Sequence, residues 1–182
     1  MLPPMIVFHV AATPADDYVA KREPHRREHI ARLQGLRAAS ILIAGGPSPD
    51  GSRVDLVYRL QQPWQVKHAI EEDPYWTGGA WTGYTPRSFT HFVEPWEQVP
   101  VVLDGSRTVT IVEGPVADLD MAQIALVEMR GAGKLALGGI VDGGQTFVIM
   151  KTDDGDDARS WLAEHGFWDA SSLTSRPFLW VL

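Results

Sequence analysis

The 182-residue sequence contains no cysteine. That excludes a disulfide framework and any thiolate metal site, and it fits a reducing compartment. No apolar run approaches the ~18 residues of a membrane span. The opening stretch MLPPMIVFHV has neither the basic segment nor the small-residue cleavage site of a secretion signal. A soluble, cytoplasmic protein without membrane contact is expected. Positive charge is scarce: 16 Lys and Arg against 23 Asp and Glu leave a formal net charge of -7. Because the acidic residues are scattered, a nucleic-acid partner is not expected. A dinucleotide glycine fingerprint is also missing. Gly45-Gly46-Pro47-Ser48 opens no helix and carries no lysine, so it reads as a strand-end turn and not as a phosphate cradle.

What the sequence does have is 45% hydrophobic residues, enough at this length for one substantial core or two small ones. It also has seven tryptophans. A buried indole must satisfy its N–H, so some of these are candidates for a pocket lining.

Residues 5–12 are rich in β formers, and after Thr13-Pro14 a helical pattern runs from Asp16 to Ala39. Strands are expected over 41–44 and 53–60, a helix over 63–72 and a strand over 85–93, which gives the order βαββαβ. The second half repeats it: strand 108–113, helix 118–131, strands 134–141 and 145–151, helix 153–165, strand 173–182. Residues repeat with the elements. LIAGG (42–46) faces LALGG (135–139), Trp76 faces Trp168, and YTPRSF (84–89) faces LTSRPF (173–178). The expected fold class is α+β, with two ferredoxin-like βαββαβ units, residues 1–95 and 107–182, joined by a linker at 96–106. The two units are expected to form an intramolecular pseudo-dimeric α/β barrel, as a monomeric pseudo-dimer or a homodimer of such chains. A cleft between sheet faces would receive a small ligand.

The segment HRREH, His25 to His29, matches the inverted zinc-protease pattern H-x-x-E-H. No third ligand is identifiable, so no metal is expected. His25 and Glu28 are read as part of a solvated face with Arg22 and Arg27. His29, next to Ile30 and four residues before Leu33, lies at the edge of the packed face.

Arg26, His29 and Leu33, then Gly46-Pro47, then Asp73-Pro74-Tyr75 and a strand ending in RSF, occur in this order across residues 5–95. In this set the chain resembles the YCII-related family of dimeric α/β-barrel proteins. The resemblance implies a catalytic pair, His29 and Asp73, facing the cleft. The residues themselves support the same pair, since Asp73 precedes a proline and so ends a helix, and its carboxylate can hold an imidazole in one tautomer. Arg26, one turn before His29, is a candidate to hold a carboxylate or enolate oxygen. Arg87 is a second, although its match with Arg176 also fits a shared structural role. Tyr75, Trp76 and Trp81 flank Asp73 as the floor of a hydrophobic pocket or as core packing. The second copy resembles the family only in its skeleton: Leu119 faces Arg26, Ala122 faces His29 and His165 faces Asp73. One site is therefore expected, in the first copy.

A histidine–aspartate pair without a nucleophile motif or metal cluster suits cofactor-free proton transfer, and the resemblance points the same way. The expected activity is that of a lyase or isomerase: isomerisation, elimination, dehydration or cyclisation of a small cyclic metabolite. Two alternatives stay open. One is an oxygenase, either cofactor-free with a tryptophan gating oxygen or haem-dependent with His29 or His165 on the iron. The other is a non-catalytic metabolite-binding protein.

Overall fold

The computed structural model describes residues 4–182 and divides them into two compact units. The first comprises residues 4–88 together with 100–103 and 180–182, and the second comprises 89–99 and 104–179.

In the first unit, β1 (Ile6–Pro14) is followed by α1 (Tyr18–Arg22), a 3-10 turn (Glu23–His25), α2 (Arg26–Ala38), β2 (Leu42–Pro47), β3 (Val54–Leu60), α3 (Gln65–Glu71), the one-turn α4 (Pro74–Thr77) and β4 (Trp81–Val93). The strand order is β2-β3-β1-β4, all antiparallel. Side chains alternate along β1, so Phe8, Val10 and Ala12 join the core with Leu33, Leu56, Tyr58, Ile70, Tyr75 and Trp81, while His9 faces the opposite side of the sheet. Helix α2 buries His29, Leu33 and Arg37, a stripe at intervals of four.

The single helix expected from Asp16 to Ala39 is broken. Pro24 has no N–H to donate and disfavours the helical conformation of Glu23, so the chain tightens into the 3-10 turn and restarts at Arg26. His25 therefore caps α2 from outside and does not share a helical face with His29, which removes the geometry that H-x-x-E-H requires. The terminal strand also ends early. It stops at Leu179, and in the first unit the tail bonds to β2: Val181 and Leu182 N–H both donate to the Gly45 carbonyl, and Gly45 N–H donates to that of Leu182.

The second unit contains β5 (Thr108–Pro115), α5 (Leu119–Gly131), β6 (Leu135–Val141), β7 (Gln145–Met150), α6 (Gly155–Ala163) and β8 (Thr174–Leu179), in the order β6-β7-β5-β8. The last part of β4, Phe89–Val93, belongs to this second unit and pairs with β6. Its helices begin where an aspartate side chain accepts backbone N–H groups: Asp118 from Met121, and Asp154 from Asp156 and Asp157. The repeat is visible in register as well as order. His9 lies between Val57 and Arg87, and Ile111 lies between Ile149 and Arg176.

The repeat corrects one sequence match. Ala15 N–H donates to the Ala80 carbonyl, and Ala117 N–H donates to that of Phe167, so Trp168 takes the place of Trp81 and not of Trp76. Asp73 and His165 do correspond, their N–H groups bonding to Ile70 and Leu162. Trp81 follows Asp73 by eight positions but Trp168 follows His165 by only three, so α4 is an insertion particular to the first copy. Among the described residues no helix is long and apolar enough to cross a membrane.

Candidate active site

Asp73 ends α3 and caps α4. Pro74 keeps its φ/ψ extended, and its Oδ1 accepts the Tyr75 N–H at 2.8 Å. The same oxygen lies 2.7 Å from Nδ1 of His29. Asp73 has no solvent exposure and His29 has 6%. With the carboxylate as acceptor the proton of this bond is carried by Nδ1, and in the neutral ring Nε2 then holds the lone pair. The two residues that the sequence paired are therefore bonded, 44 positions apart.

Aromatic rings enclose the pair. Tyr75 stacks on the His29 ring at 3.6 Å between centroids and 10° between planes, and Trp81 meets it edge-on at 5.3 Å. Tyr18 stands edge-on to Tyr75 at 6.0 Å, and the Arg22 guanidinium lies 5.1 Å above the Tyr18 ring. Burial pushes the phenols of Tyr75 and Tyr18 up from their ordinary range. Arg22 pulls against the shift at both, and Arg26 does so at Tyr75. Both hydroxyls are thus neutral donors at physiological pH, next to cationic side chains. Arg26 itself is exposed, at the first position of α2.

Two expected members lie elsewhere. Trp76 is half-buried and packs edge-on against Tyr84 at 5.4 Å, not against His29. Arg87 belongs to the other face of the sheet, where its Nε and Nη2 approach Nδ1 of His9 at 3.3 and 2.9 Å. His9 Nε2 donates in turn to Asp55 Oδ1 at 2.8 Å, and Arg53 Nε donates to the same oxygen at 3.2 Å. Strand alternation separates Arg87 from the pair. The pair itself sits in the helix-covered core of the first unit, with Tyr75, Trp81 and Tyr58, and not on the face that carries Arg87. His25 is also corrected. It is half-buried over Gly78, where any Cβ would collide with its ring, so it braces the turn that ends α4.

Sequence reading missed Tyr18, Arg22 and Arg32 on the helical segments, and the His9–Asp55 pair. A signal existed for the last, since His9 and Asp55 are the polar residues inside the apolar runs IVFHVAA and VDLVY.

No protein-family model and no curated protein matches the chain. Solved structures do. A candidate monooxygenase from Lactobacillus acidophilus shares 12% identity, with 98% of this chain and 94% of that chain covered at a TM-score of 0.64. A candidate monooxygenase from Fusobacterium nucleatum shares 8% identity, with 100% and 94% covered at 0.59. A heme-binding protein from Thermus thermophilus shares 10%, with 98% and 92% covered at 0.56. The likeness is one of fold: this is a protein of the ferredoxin-like, dimeric α/β-barrel class, with both βαββαβ copies in one chain.

The two histidines expected as haem ligands do not fit the group. The His29 ring is covered on one face by Tyr75 and along an edge by Trp81, and only 6% of the residue is exposed. His165 lines a cleft of about 360 Å³ with Glu128, Lys134 and Glu164; Lys134 pairs with Glu164 at 3.6 Å, which leaves the Glu128 carboxylate to repel the propionates of a haem. Among the described residues no group of three or more His, Asp and Glu side chains is placed to hold a metal ion.

Proposed function

We propose that the chain is a YCII-related enzyme that moves protons on a small cyclic, anionic metabolite without a cofactor, by isomerisation, elimination or dehydration, or cyclisation. The observation that carries this reading is the 2.7 Å bond between His29 and Asp73, two buried polar groups set among aromatic rings. His29 Nε2 takes a proton from carbon or oxygen of the substrate. Asp73 holds the ring in the required tautomer and stabilises the imidazolium that forms. Positioned acid–base chemistry supplies about 10²- to 10⁴-fold. The remaining acceleration comes from stabilising the developing oxyanion in a poorly solvated site. The neutral phenols of Tyr18 and Tyr75, with Arg22 and Arg26 beside them, are the donors suited to that task. Residues 1–95 carry the site in this reading. Residues 107–182, after the linker at 96–106, are a degenerate repeat that lacks the pair, inside a cytoplasmic monomeric pseudo-dimer or homodimer.

Wild-type protein, His29→Ala and Asp73→Asn are to be incubated in D2O with a panel of enolisable lactones and chlorinated hydroquinones, with NMR following exchange, isomerisation and chloride release. Turnover by the wild type that falls about 10²-fold or more in both variants, with substrate binding retained, supports the enzyme. Binding without turnover in all three proteins makes the chain a metabolite binder. The two candidate monooxygenases among the similar structures favour a second reading, in which the same base delivers a substrate carbanion to dioxygen. Oxygen consumption in the same assays distinguishes it.

A further inference from the structure

The two oxygens of Asp73 are treated very differently. Oδ1 receives the N–H groups of His29 and Tyr75, whereas Oδ2, in a residue with no exposure, has no hydrogen-bond partner. A buried carboxylate in that position must have its charge answered in another way. The neighbouring cation is Arg32, on α2 three residues beyond His29, with Nε 3.8 Å from Oδ2. The guanidinium is anchored at its far end. Its Nη2 donates to the carbonyls of His68 (3.2 Å) and Ala69 (3.4 Å) in the last turn of α3, where the helix end is partly negative. Arg32 Nε makes no hydrogen bond and is itself buried. Tyr58 of β3 has no exposure and an unpartnered hydroxyl. Burial, then the charge of Asp73, pushes its phenol up, with Arg32 acting the other way.

The second copy serves as an internal control. Helices α2 and α5 are both 13 residues long, and position by position Ala122 replaces His29 and Ala125 replaces Arg32. Phe8 pairs with Tyr58 as Thr110 pairs with Met150, so Met150 replaces Tyr58, and His165 replaces Asp73. Ala122, Ala125 and Met150 are buried in that unit's core. Four residues spread over 45 positions have thus changed together in a unit that keeps the strand order. A fold that tolerates apolar residues at three of these places does not need the polar set for folding.

We propose that Arg32 is a positioning residue of the His29–Asp73 pair: by facing Oδ2 it holds the carboxylate with Oδ1 turned to the imidazole and so fixes the ring proton on Nδ1. This inference rests on the proposed role of the pair. Arg32→Gln removes the charge that faces Oδ2, so the Asp73 carboxylate turns and the single imidazole tautomer becomes a mixture. Arg32→Lys keeps the charge and the tautomer.

The test is long-range 1H–15N correlation of the His29 ring in labelled full-length protein at neutral pH. The expected result is an Nδ1–H tautomer in wild type and Arg32→Lys, and a mixture in Arg32→Gln. Where the Gln variant does not fold, Arg32→Met, which keeps the stem packed, takes its place. A lowered Tm with the tautomer unchanged would make Arg32 only a staple between α2 and α3 and overturn the proposal. Asp73→Asn separates the two levels. If the wild-type ring is not Nδ1–H, or if Asp73→Asn leaves it unchanged, the reading of the pair itself fails. If Asp73→Asn disturbs the ring and the Arg32 variants do not, only the inference about Arg32 fails.

Discussion

His29 and Asp73 meet at 2.7 Å because two helix beginnings converge on one oxygen: the imidazole comes from the first turn of α2, and Oδ1 is held in place by capping α4 through the Tyr75 N–H. The carboxylate thus serves local structure and the candidate chemistry at once. Removing it has consequences for both.

Asp73→Ala deletes the cap of α4, worth about 1 kcal/mol. It also leaves Arg32 and His29 without their buried partner, a loss of the order of 3–5 kcal/mol for a broken buried pair. Urea unfolding should show a total cost of a few kcal/mol with an unchanged m-value. Asp73→Asn, which retains an acceptor for Tyr75, should cost distinctly less.

Gly78→Ala should destabilise by about 1–3 kcal/mol, typical of overpacking. Its Cβ would run into the His25 ring and come within 2.9 Å of the Pro74 carbonyl oxygen. Because the His25 ring is the movable obstacle, Gly78→Ala with His25→Ala should recover part of the loss. Thermal unfolding of the single and double variants is the check, and no recovery would mean that His25 does not brace the turn.

Asp55→Ala should cost about 3–5 kcal/mol, since it removes the buried carboxylate to which both His9 and Arg53 donate. It should leave the His29 ring spectrum unchanged, because that face is not the one that carries the pair. A shifted His29 tautomer would contradict the separation of the two polar sets.

Alkaline pH provides a fourth test. Tyr58, Tyr75, Tyr18 and Tyr84 are all pushed above the ordinary phenol value, each first by burial. The unfolded chain ionises its phenols from about pH 10. It then binds fewer protons than the folded chain, so stability is fully present below pH 10 and falls as pH rises above it. The share of tyrosinate absorbance that comes from Tyr58 and Tyr75 should appear together with unfolding and not before it. Tyr58→Phe should flatten the decline of Tm with pH.

The strands were legible because apolar residues alternate or run between turn signals, and the repeat because residues such as LIAGG and LALGG recur with the elements. The break in the first helix was not legible from periodicity, which continues through Pro24; only the missing N–H of proline announces it. His29 and Asp73 could be paired from motif order and from the Asp-Pro cap signal. Arg87 could not be placed correctly, because a one-residue change of register decides which sheet face a side chain takes. Tyr58 and Arg32 went unremarked for a related reason. One is a strand residue and the other a helix residue, and only their packing in three dimensions brings them behind a common carboxylate. The insertion that carries Tyr75 also emerges only when backbone hydrogen bonds align Trp81 with Trp168.

The central claim is that His29 and Asp73 act as one acid–base unit. A double-mutant cycle on turnover tests it most directly, with His29→Ala, Asp73→Asn and the combined variant compared on a substrate identified in the D2O panel. The paired mechanism predicts a loss of about 10²-fold or more in kcat for each single variant and little further loss in the double. Losses that multiply, or a His29→Ala protein that still turns over at the wild-type rate, would contradict it.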